Sequence, residues 1–124
     1  DIGTAATMDV VAADGRHVGG LIAPGLALSQ AVLQARTAGI QSAGHEAGAT
    51  LGQSTDACVA NGCLLSVIGT IRGALELMER ECGAGGVLGA TGGDAPRILP
   101  FLSRSCEHVP NLIFDGMLLA GSDQ

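Results

Sequence analysis

Residues 1–9 (DIGTAATMD) constrain the fold of this chain more than any other stretch. A glycine and a threonine stand between two short apolar runs, and Val10 and Val11 follow directly. Glycine permits a tight backbone turn and β-branched neighbours favour strands, so the stretch predicts strand, turn, strand. Such a turn offers backbone N–H groups and hydroxyls to a phosphate. We also expect a strand to lead into the turn from before residue 1, which would make this chain part of a larger protein.

Composition excludes several classes of protein. The chain has 124 residues, of which 47% are hydrophobic, enough for the core of one domain. Its net charge is −6, and all six basic residues are arginines scattered singly along the sequence. Without a basic patch to neutralise phosphates, direct nucleic-acid binding is excluded. The sequence has no run of 18 uncharged apolar residues and no recognisable leader, so we predict no membrane span and a cytoplasmic location.

The cysteines and histidines do not predict a metal site. No Cys-x-x-Cys pair occurs, and no histidine stands at ligand spacing from a cysteine. We predict that all four cysteines are small, buried or half-buried thiols of a reducing compartment, and that the three histidines are isolated and non-catalytic. Cys58 and Cys63 lie five residues apart in a predicted helix and are expected on different faces. The residues concerned are Cys58, Cys63, Cys82, Cys106, His17, His45 and His108.

Hydrophobic periodicity predicts an α/β domain in which helices cover a sheet. Asp14-Gly15 predicts a hairpin turn, and the adjacent glycines at 19–20 predict a close approach of another backbone or a ligand. Residues 38–53 predict a mobile loop, and Ser54 or Thr55 can cap the helix after it. In chain order the predicted elements are strand–turn–strand 2–11, strand 17–23, helix 26–38, helix 55–82, strand 87–90, helix 95–103, strand 109–113 and helix 115–120.

Two glycine-threonine turns carry the candidate chemistry. Gly3-Thr4 and Thr91-Gly92-Gly93 each follow a short apolar stretch, and the carboxyl ends of strands are where open α/β sheets bind ligands. Other motifs stand in a recognisable order around them. They are DIGTAAT at 1–7, DGR at 14–16, GGLIAPG at 19–25, LGQST at 51–55, NG at 61–62, TGG at 91–93 and PNL at 110–112.

In this order the motifs resemble the C-terminal half of type III pantothenate kinases, members of the actin-like and sugar-kinase ATPase superfamily. The resemblance implies an α/β fold of the ribonuclease-H-like (actin-like ATPase) type, with a mixed sheet and covering helices. Residues 1–124 would form the C-terminal lobe of a two-lobed kinase. The implied reaction is ATP-dependent phosphorylation of pantothenate to 4′-phosphopantothenate, the first step of coenzyme A biosynthesis.

The resemblance also implies roles for individual residues. Gly3, Thr4 and the turn Thr91-Gly92-Gly93 would bind ATP, which is used with Mg²⁺. Asp1 would ligate a monovalent cation, K⁺ or NH₄⁺. Thr55 would reach across a homodimer to pantothenate in the neighbouring subunit. Read without the resemblance, Asp1 is a frayed terminal residue, Thr55 a helix cap and Thr4 a turn residue.

Helix 55–82 is the natural candidate for the dimer interface. Its small residues Ala60, Gly62, Cys63 and Ser66 would permit close approach of a second helix. Asp9 and Asp94 are acids near the two turns, for which surface or capping roles are expected.

Two motifs that the resemblance calls for do not occur in this chain. These are an Asp-x-Gly-Asn-Thr phosphate turn and a Gly-x-Asp-Arg segment that supplies the general base; Gly93-Asp94 continues instead as Ala95-Pro96. This chain therefore contains no catalytic residue, and we expect it to be inactive alone and to aggregate or pair. The missing N-terminal lobe would come in cis or as a separate chain. The alternatives are a non-catalytic regulatory or binding module of the same fold, or a fragment of an unrelated sugar or acetyl kinase.

Overall fold

A computed structural model describes residues 1–40 and 46–121 as a small mixed α/β domain. Its elements, in chain order, are β1 (Ala5–Val11), β2 (His17–Pro24), α1 (Leu26–Arg36), α2 (Thr55–Cys82), β3 (Gly89–Ala90), α3 (Ala95–Ile98), a 3₁₀ turn (Leu99–Phe101), β4 (Glu107–His108) and α4 (Leu112–Gly121).

Strands β1 and β2 form the predicted hairpin. They pair antiparallel, with Ala5 opposite Pro24, and a bulge interrupts the register between Val10 and Val11. Gly15 has a φ of 86° at the tip of the hairpin, a left-handed conformation that favours glycine. The predicted close approach also occurs, because a Cβ on Gly20 would lie 2.5 Å from the Met8 carbonyl oxygen.

A second, parallel pair of strands is joined to the hairpin through Ile2. Strand β3 pairs with β4, with Gly89 opposite Glu107. Ile2 forms an antiparallel bridge to Ala6 of β1, and its N–H donates to the Thr91 carbonyl just after β3 (2.8 Å). The chain at Ile2 therefore lies between the two small sheets and links them.

Helix α2 forms the centre of the core. The predicted stripe at three- and four-residue spacing is confirmed, since its first five members are buried and Leu75 and Met78 are half-buried. Around it pack Ile2, Ala6 and Leu26, together with the fully buried Ile98 of α3. The buried stripe is Ala60, Leu64, Val67, Ile68 and Ile71.

The ends of α2 are set by local signals. The hydroxyl of Ser54 accepts a hydrogen bond from the Ala57 N–H (3.2 Å), so Ser54 is the cap and Thr55 is the first helical residue. Gly83, with a φ of 84°, ends the helix, and its N–H donates to the Glu79 carbonyl. The helix therefore runs over the predicted bounds, and the capping role considered for Thr55 belongs to its neighbour.

Helix α2 is also long and apolar enough to cross a membrane, judged by length and composition alone. The core helices of soluble proteins meet the same criterion. Arg72 interrupts its apolar sequence, which is why a search for uncharged stretches does not find it. In this structure its buried stripe packs against β1, β2, α1 and α3.

The second half of the chain departs from the prediction, and prolines account for much of the difference. The predicted helix 95–103 is α3 followed by a 3₁₀ turn, because Pro100 has no N–H to continue an α-helix. The predicted strand 109–113 is wrong. Pro110 cannot donate to a strand ladder, so β4 ends at His108 and α4 begins at Leu112.

Two smaller predictions also need correction. Strand 87–90 is confined to Gly89–Ala90, and Val87 is exposed. Helix α1 packs against α2 and ends at Arg36, two residues before the predicted end. Part of the predicted loop 38–53, with His45, lies outside the described residues.

Burial divides the cysteines into two pairs. Cys63 is buried and Cys106 half-buried as predicted, and Cys58 and Cys63 do lie on different faces of α2. The prediction is wrong for Cys58 and Cys82, which are exposed. Cys82 is the last residue of α2, and Cys58 lies on the side of the helix that faces a groove described below.

Candidate functional site

The N-terminal turn is followed by strand β1 as predicted, but the predicted strand before it is a single bridge residue, Ile2. The Asp1 amino group donates to the Thr7 carbonyl (2.9 Å), and the Thr7 N–H donates back to the Asp1 carbonyl (2.9 Å). The Gly3 N–H donates to the Ala5 carbonyl (3.0 Å), which closes the turn and leaves Thr4 exposed at its tip. The Thr4 residue is therefore accessible to a ligand, although its carbonyl already accepts a bond from the Gly25 N–H (2.9 Å).

The turn Thr91-Gly92-Gly93 lies directly beside this first turn. Besides the bond between Ile2 and Thr91, the Asp94 N–H donates to the Ile2 carbonyl (2.9 Å). Gly92 has a φ of 100°, and a Cβ there would overlap the Asp1 carboxylate and the main chain of Ile2. Only glycine fits at this position. The structure thus brings together two turns that stand about ninety residues apart in the sequence.

The Asp1 carboxylate lies between the two turns. Its Oδ1 occupies the space that a Cβ on Gly92 would need. The same oxygen lies 3.9 Å from the position that a Cβ on Gly3 would take. Within residues 1–40 and 46–121, no group of three or more His, Cys, Asp or Glu residues could hold a metal ion. A single carboxylate is an oxygen donor suited to a weakly held hard cation whose other ligands are carbonyls, phosphate or water. The chemical type of this one donor, a carboxylate oxygen, is compatible with a monovalent cation.

Thr91 positions its turn rather than presenting its hydroxyl. The side chain is 3% exposed, and its Oγ1 donates to the Pro110 carbonyl (3.1 Å) just before α4. The sequence gives no signal of this contact, because its two partners are distant in the chain and neither belongs to a periodic element. Gly93, by contrast, is exposed, with open space around its Cβ position.

Thr55 lies in a different place, at a large groove. The groove has a volume of about 1040 Å³ and runs between α1, α2 and the loop that precedes α2. Thr55 and Cys58 lie on one wall, and Val32 and Leu33 of α1 on the other. Asp1, Thr4 and Gly92 are not among its lining residues. The predicted site residues therefore lie at two separate places in this chain, the paired turns and this groove.

Asn61 is a functional candidate whose role the sequence did not reveal. It is 4% exposed, its Oδ1 accepts from the Gly48 N–H (2.8 Å), and its Nδ2 donates to the Thr50 carbonyl (3.0 Å). These bonds hold the loop before α2 against the helix, so Asn61 fixes the groove wall that leads to Thr55. The sequence feature that could have indicated this role is a polar amide residue among the apolar residues on the buried side of a long helix.

Some of the other titratable groups form ion pairs, and burial affects two of the thiols. His17 is not isolated as predicted, because its Nε2 lies 2.9 Å from Asp9 Oδ1 in an exposed pair across the hairpin. Asp94 pairs with Arg97 (3.5 Å). Burial raises the pKa of the Cys63 thiol, and also that of Cys106, above the ordinary value. The shift favours the protonated form of both thiols.

Comparison with known proteins identifies the family. The family model described as type III pantothenate kinase matches residues 1–77, which is more than half of the chain. The chain belongs to the type III pantothenate kinase family. A type III pantothenate kinase of Nitrosococcus oceani is 40% identical over 124 residues, a span that covers 99% of this chain and 47% of that protein. Another, from Pseudomonas paraeruginosa, is 38% identical and is covered to 50%.

This chain spans about half the length of the curated pantothenate kinases it matches, and it corresponds to their C-terminal half. A solved structure supports the fold. A Campylobacter jejuni protein described as a Baf family transcriptional activator matches 94% of this chain and 52% of its own length, with a TM-score of 0.68. At 23% sequence identity this similarity establishes the fold alone.

Proposed function

We propose that the complete protein phosphorylates pantothenate with ATP to give 4′-phosphopantothenate, the first step of coenzyme A biosynthesis, in the cytoplasm. Residues 1–124 are the C-terminal lobe of a two-lobed enzyme with a ribonuclease-H-like, actin-like ATPase fold. Membership of the pantothenate kinase family supports the reaction. The predicted mixed sheet is present only as two small sheets, an antiparallel hairpin and a parallel pair linked at Ile2, and together with the helices these support the α/β class.

The observation that carries this proposal is the contact between the two glycine turns, with the Asp1 carboxylate between them. Transfer of a phosphoryl group depends mainly on positioning and on electrostatic stabilisation. The Thr4 N–H and hydroxyl can hold phosphate oxygens without lysine, a residue that the chain lacks, and Gly3 shapes the turn because its N–H donates to the Ala5 carbonyl. The turn 91–93 would then lie against the adenosine part of ATP, and Asp1 would ligate K⁺ or NH₄⁺ beside the phosphates.

The groove at Thr55 is the proposed pantothenate contact, made across a homodimer. Because Ser54 provides the helix cap, the Thr55 hydroxyl is not needed for that purpose. Helix α2 remains the proposed interface, but only two of its four small residues can contribute. Gly62 and Ser66 are exposed, whereas Ala60 and Cys63 are buried in the core of this chain.

The other half of the enzyme must supply the general base and the first phosphate turn. No residue of this chain is assigned a catalytic role, so the isolated chain is expected to be inactive. Mg²⁺, used with ATP, would be held largely through the phosphates and through residues of that other half.

The test is an assay of the full-length protein with ATP, Mg²⁺, K⁺ and pantothenate, with phosphopantothenate measured by mass spectrometry. We expect product formation, and we expect Asp1→Asn to raise the K⁺ concentration needed for half-maximal activity at least tenfold. Asp14→Asn is the matched control, because this exposed carboxylate only accepts a bond from the Arg16 N–H within the hairpin turn. A folded protein that binds ATP but forms no product would favour the non-catalytic regulatory module instead.

A further inference from the structure

A small pocket lies between the β1–β2 hairpin and the C-terminal part of α2. It has a volume of about 210 Å³. Both strands of the hairpin line it, but Gly19 and Gly20 contribute no side chain to fill the space. A Cβ on Gly20 would lie 2.5 Å from the Met8 carbonyl oxygen, so a side chain does not fit there without a shift of β1. The two glycines of β2 therefore leave the pocket open.

Three sulfur-containing side chains line this pocket, those of Met8, Met78 and Cys82. Met78 and Cys82 stand four residues apart on α2, so they are neighbours on one face of the helix, with Cβ atoms about 5–6 Å apart. Met8 belongs to β1 on the opposite wall, and its side chain packs against the core on the side of α2. The pocket thus brings together two thioethers and one thiol from two elements.

None of these three residues is fully buried. Both methionines are half-buried, and Cys82 is a free, exposed thiol at the last residue of α2. The Met78 sulfur lies 3.6 Å from the position that a Cβ on Gly86 would take, so this thioether reaches the loop that directly follows Cys82. The two sulfur atoms of α2 therefore lie towards the same end of the helix.

The chemical type of these ligands indicates which metal they suit. Thiolate and thioether sulfur are soft donors, which favour Cu(I). Zn²⁺ takes thiolate, imidazole or carboxylate ligands, and residues 1–40 and 46–121 offer no group of three His, Cys, Asp or Glu residues for it. The Glu81 carboxylate also lines the pocket, and its negative charge would attract a cation.

We propose that Met8, Met78 and Cys82 form a three-sulfur site that binds one Cu(I) ion between the hairpin and α2. The Cys82 thiol releases its proton to solvent as the Cu–S bond forms, and each thioether donates a lone pair. No electron is transferred in this step. The site does not depend on the kinase reaction, because it shares no lining residue with the groove at Thr55 and does not include the paired turns.

A bound ion would fasten the hairpin to the end of α2. The three ligands come together only in the folded protein, so Cu(I) binds the folded state in preference to the unfolded state and stabilises it. We therefore expect the midpoint of thermal unfolding to rise with the concentration of Cu(I).

The first experiment titrates the full-length protein with Cu(I) without oxygen, in competition with the chromophoric chelator bicinchoninate. We expect Cys82→Ser to weaken binding at least hundredfold, and Met8→Leu and Met78→Leu at least tenfold each. Leucine nearly conserves the volume of methionine, so the fold is retained. Cys58→Ser is the control, since Cys58 is also an exposed thiol of α2 but no methionine lines its groove. This change should alter the affinity less than twofold.

The second measurement needs no substitution at the site. In full-length protein labelled with ¹³C at the methionine methyl groups, one equivalent of diamagnetic Cu(I) should shift the NMR signals of Met8 and Met78. The two leucine variants assign these signals. Met117 is exposed on α4 and does not line the pocket, so its signal is the internal control and should stay in place.

Three outcomes would overturn the proposal. An affinity unchanged by both methionine variants would mean that a cysteine alone binds the ion. A methyl shift for only one of Met8 and Met78 would exclude the three-sulfur site. Loss of affinity in Cys58→Ser but not in Cys82→Ser would place the ion in the groove at Thr55.

Discussion

At the scale of single residues, the two glycines of the 91–93 turn differ in how strictly their positions require glycine. Gly92 has a positive φ and lies against Asp1 and Ile2, whereas Gly93 has open space around it. The first glycine holds the two proposed nucleotide turns together, whereas a side chain at the second would meet no other part of the described chain.

We predict that Gly92→Ala destabilises the full-length protein by about 2 kcal/mol or more and weakens ATP binding. A side chain at positive φ costs roughly 1–2 kcal/mol, and displacement of Asp1 adds to that. Gly93→Ala is the matched control and should change stability by less than about 0.5 kcal/mol. Thermal unfolding and the KM for ATP measure the two effects. Equal behaviour of the two variants would show that the turns are not in contact.

Cys58 can serve as a chemical probe of the groove, because it lines the groove one helical turn after Thr55. It is exposed, and its Sγ lies 3.3 Å from the Gly52 carbonyl oxygen. We predict that saturating pantothenate slows alkylation of Cys58 by iodoacetamide at least fivefold in the full-length protein. Cys82, exposed at the far end of α2, is the internal control and should react at an unchanged rate. Unchanged rates at both cysteines would place pantothenate elsewhere.

At the scale of elements, α2 and the loop before it form one unit through Asn61. The three partners are distant in sequence but share two hydrogen bonds inside the protein. Removing the amide leaves a backbone donor and a backbone acceptor of the loop without their partner, and each such buried group costs about 1–3 kcal/mol.

We therefore predict that Asn61→Leu lowers the free energy of unfolding by about 2–4 kcal/mol and raises the KM for pantothenate more than the KM for ATP. Glu76→Gln, at an exposed position of the same helix outside the groove, is the control and should cost less than about 0.5 kcal/mol. Denaturant unfolding and steady-state kinetics provide the two readouts. A KM for ATP raised equally would mean that Asn61 supports the fold generally and not the groove.

The elements also show what sequence could and could not predict. Helix α2 was predictable because its stripe, cap and terminal glycine are all local signals. The turns were predictable because glycine and threonine mark them directly. Strands β3 and β4 have two residues each and are defined by pairing across about eighteen residues, so they carry no periodicity of their own. The hydrogen bonds of Asn61 with the loop before α2, and the bond from Thr91 to Pro110, also join residues that are distant in sequence. Local sequence patterns therefore could not predict them.

At the scale of the whole molecule, this half of the protein exposes much apolar surface. Helix α4 has no buried residue among its ten, and Phe114, Met117 and Leu118 are each at least 66% exposed. Large exposed apolar patches mark contact surfaces or aggregation sites. The expectation that the isolated chain aggregates or pairs therefore stays a prediction with a structural basis.

The proposed homodimer can be tested by mixing two impaired variants at a K⁺ concentration too low to support the activity of Asp1→Asn. If Thr55 serves the neighbouring subunit, a mixed dimer of Thr55→Val and Asp1→Asn contains one site in which both residues are intact. We predict that refolding the two variants together restores up to about a quarter of the wild-type activity, since random assembly of dimers gives one half mixed dimers. No recovery, with mixed dimers present by mass spectrometry, would mean that Thr55 acts within its own subunit.

The close contact at Gly25 has a consequence for how the two substrates bind. Gly25 is the residue before α1, its N–H donates to the Thr4 carbonyl (2.9 Å), and a Cβ on it would overlap the Gly3 carbonyl. The first turn is thus fastened to the helix whose Val32 and Leu33 line the groove. Any displacement of that turn by nucleotide must shift α1. We therefore expect ATP and pantothenate to alter each other's affinity, and by thermodynamic linkage the factor is the same whichever binds first.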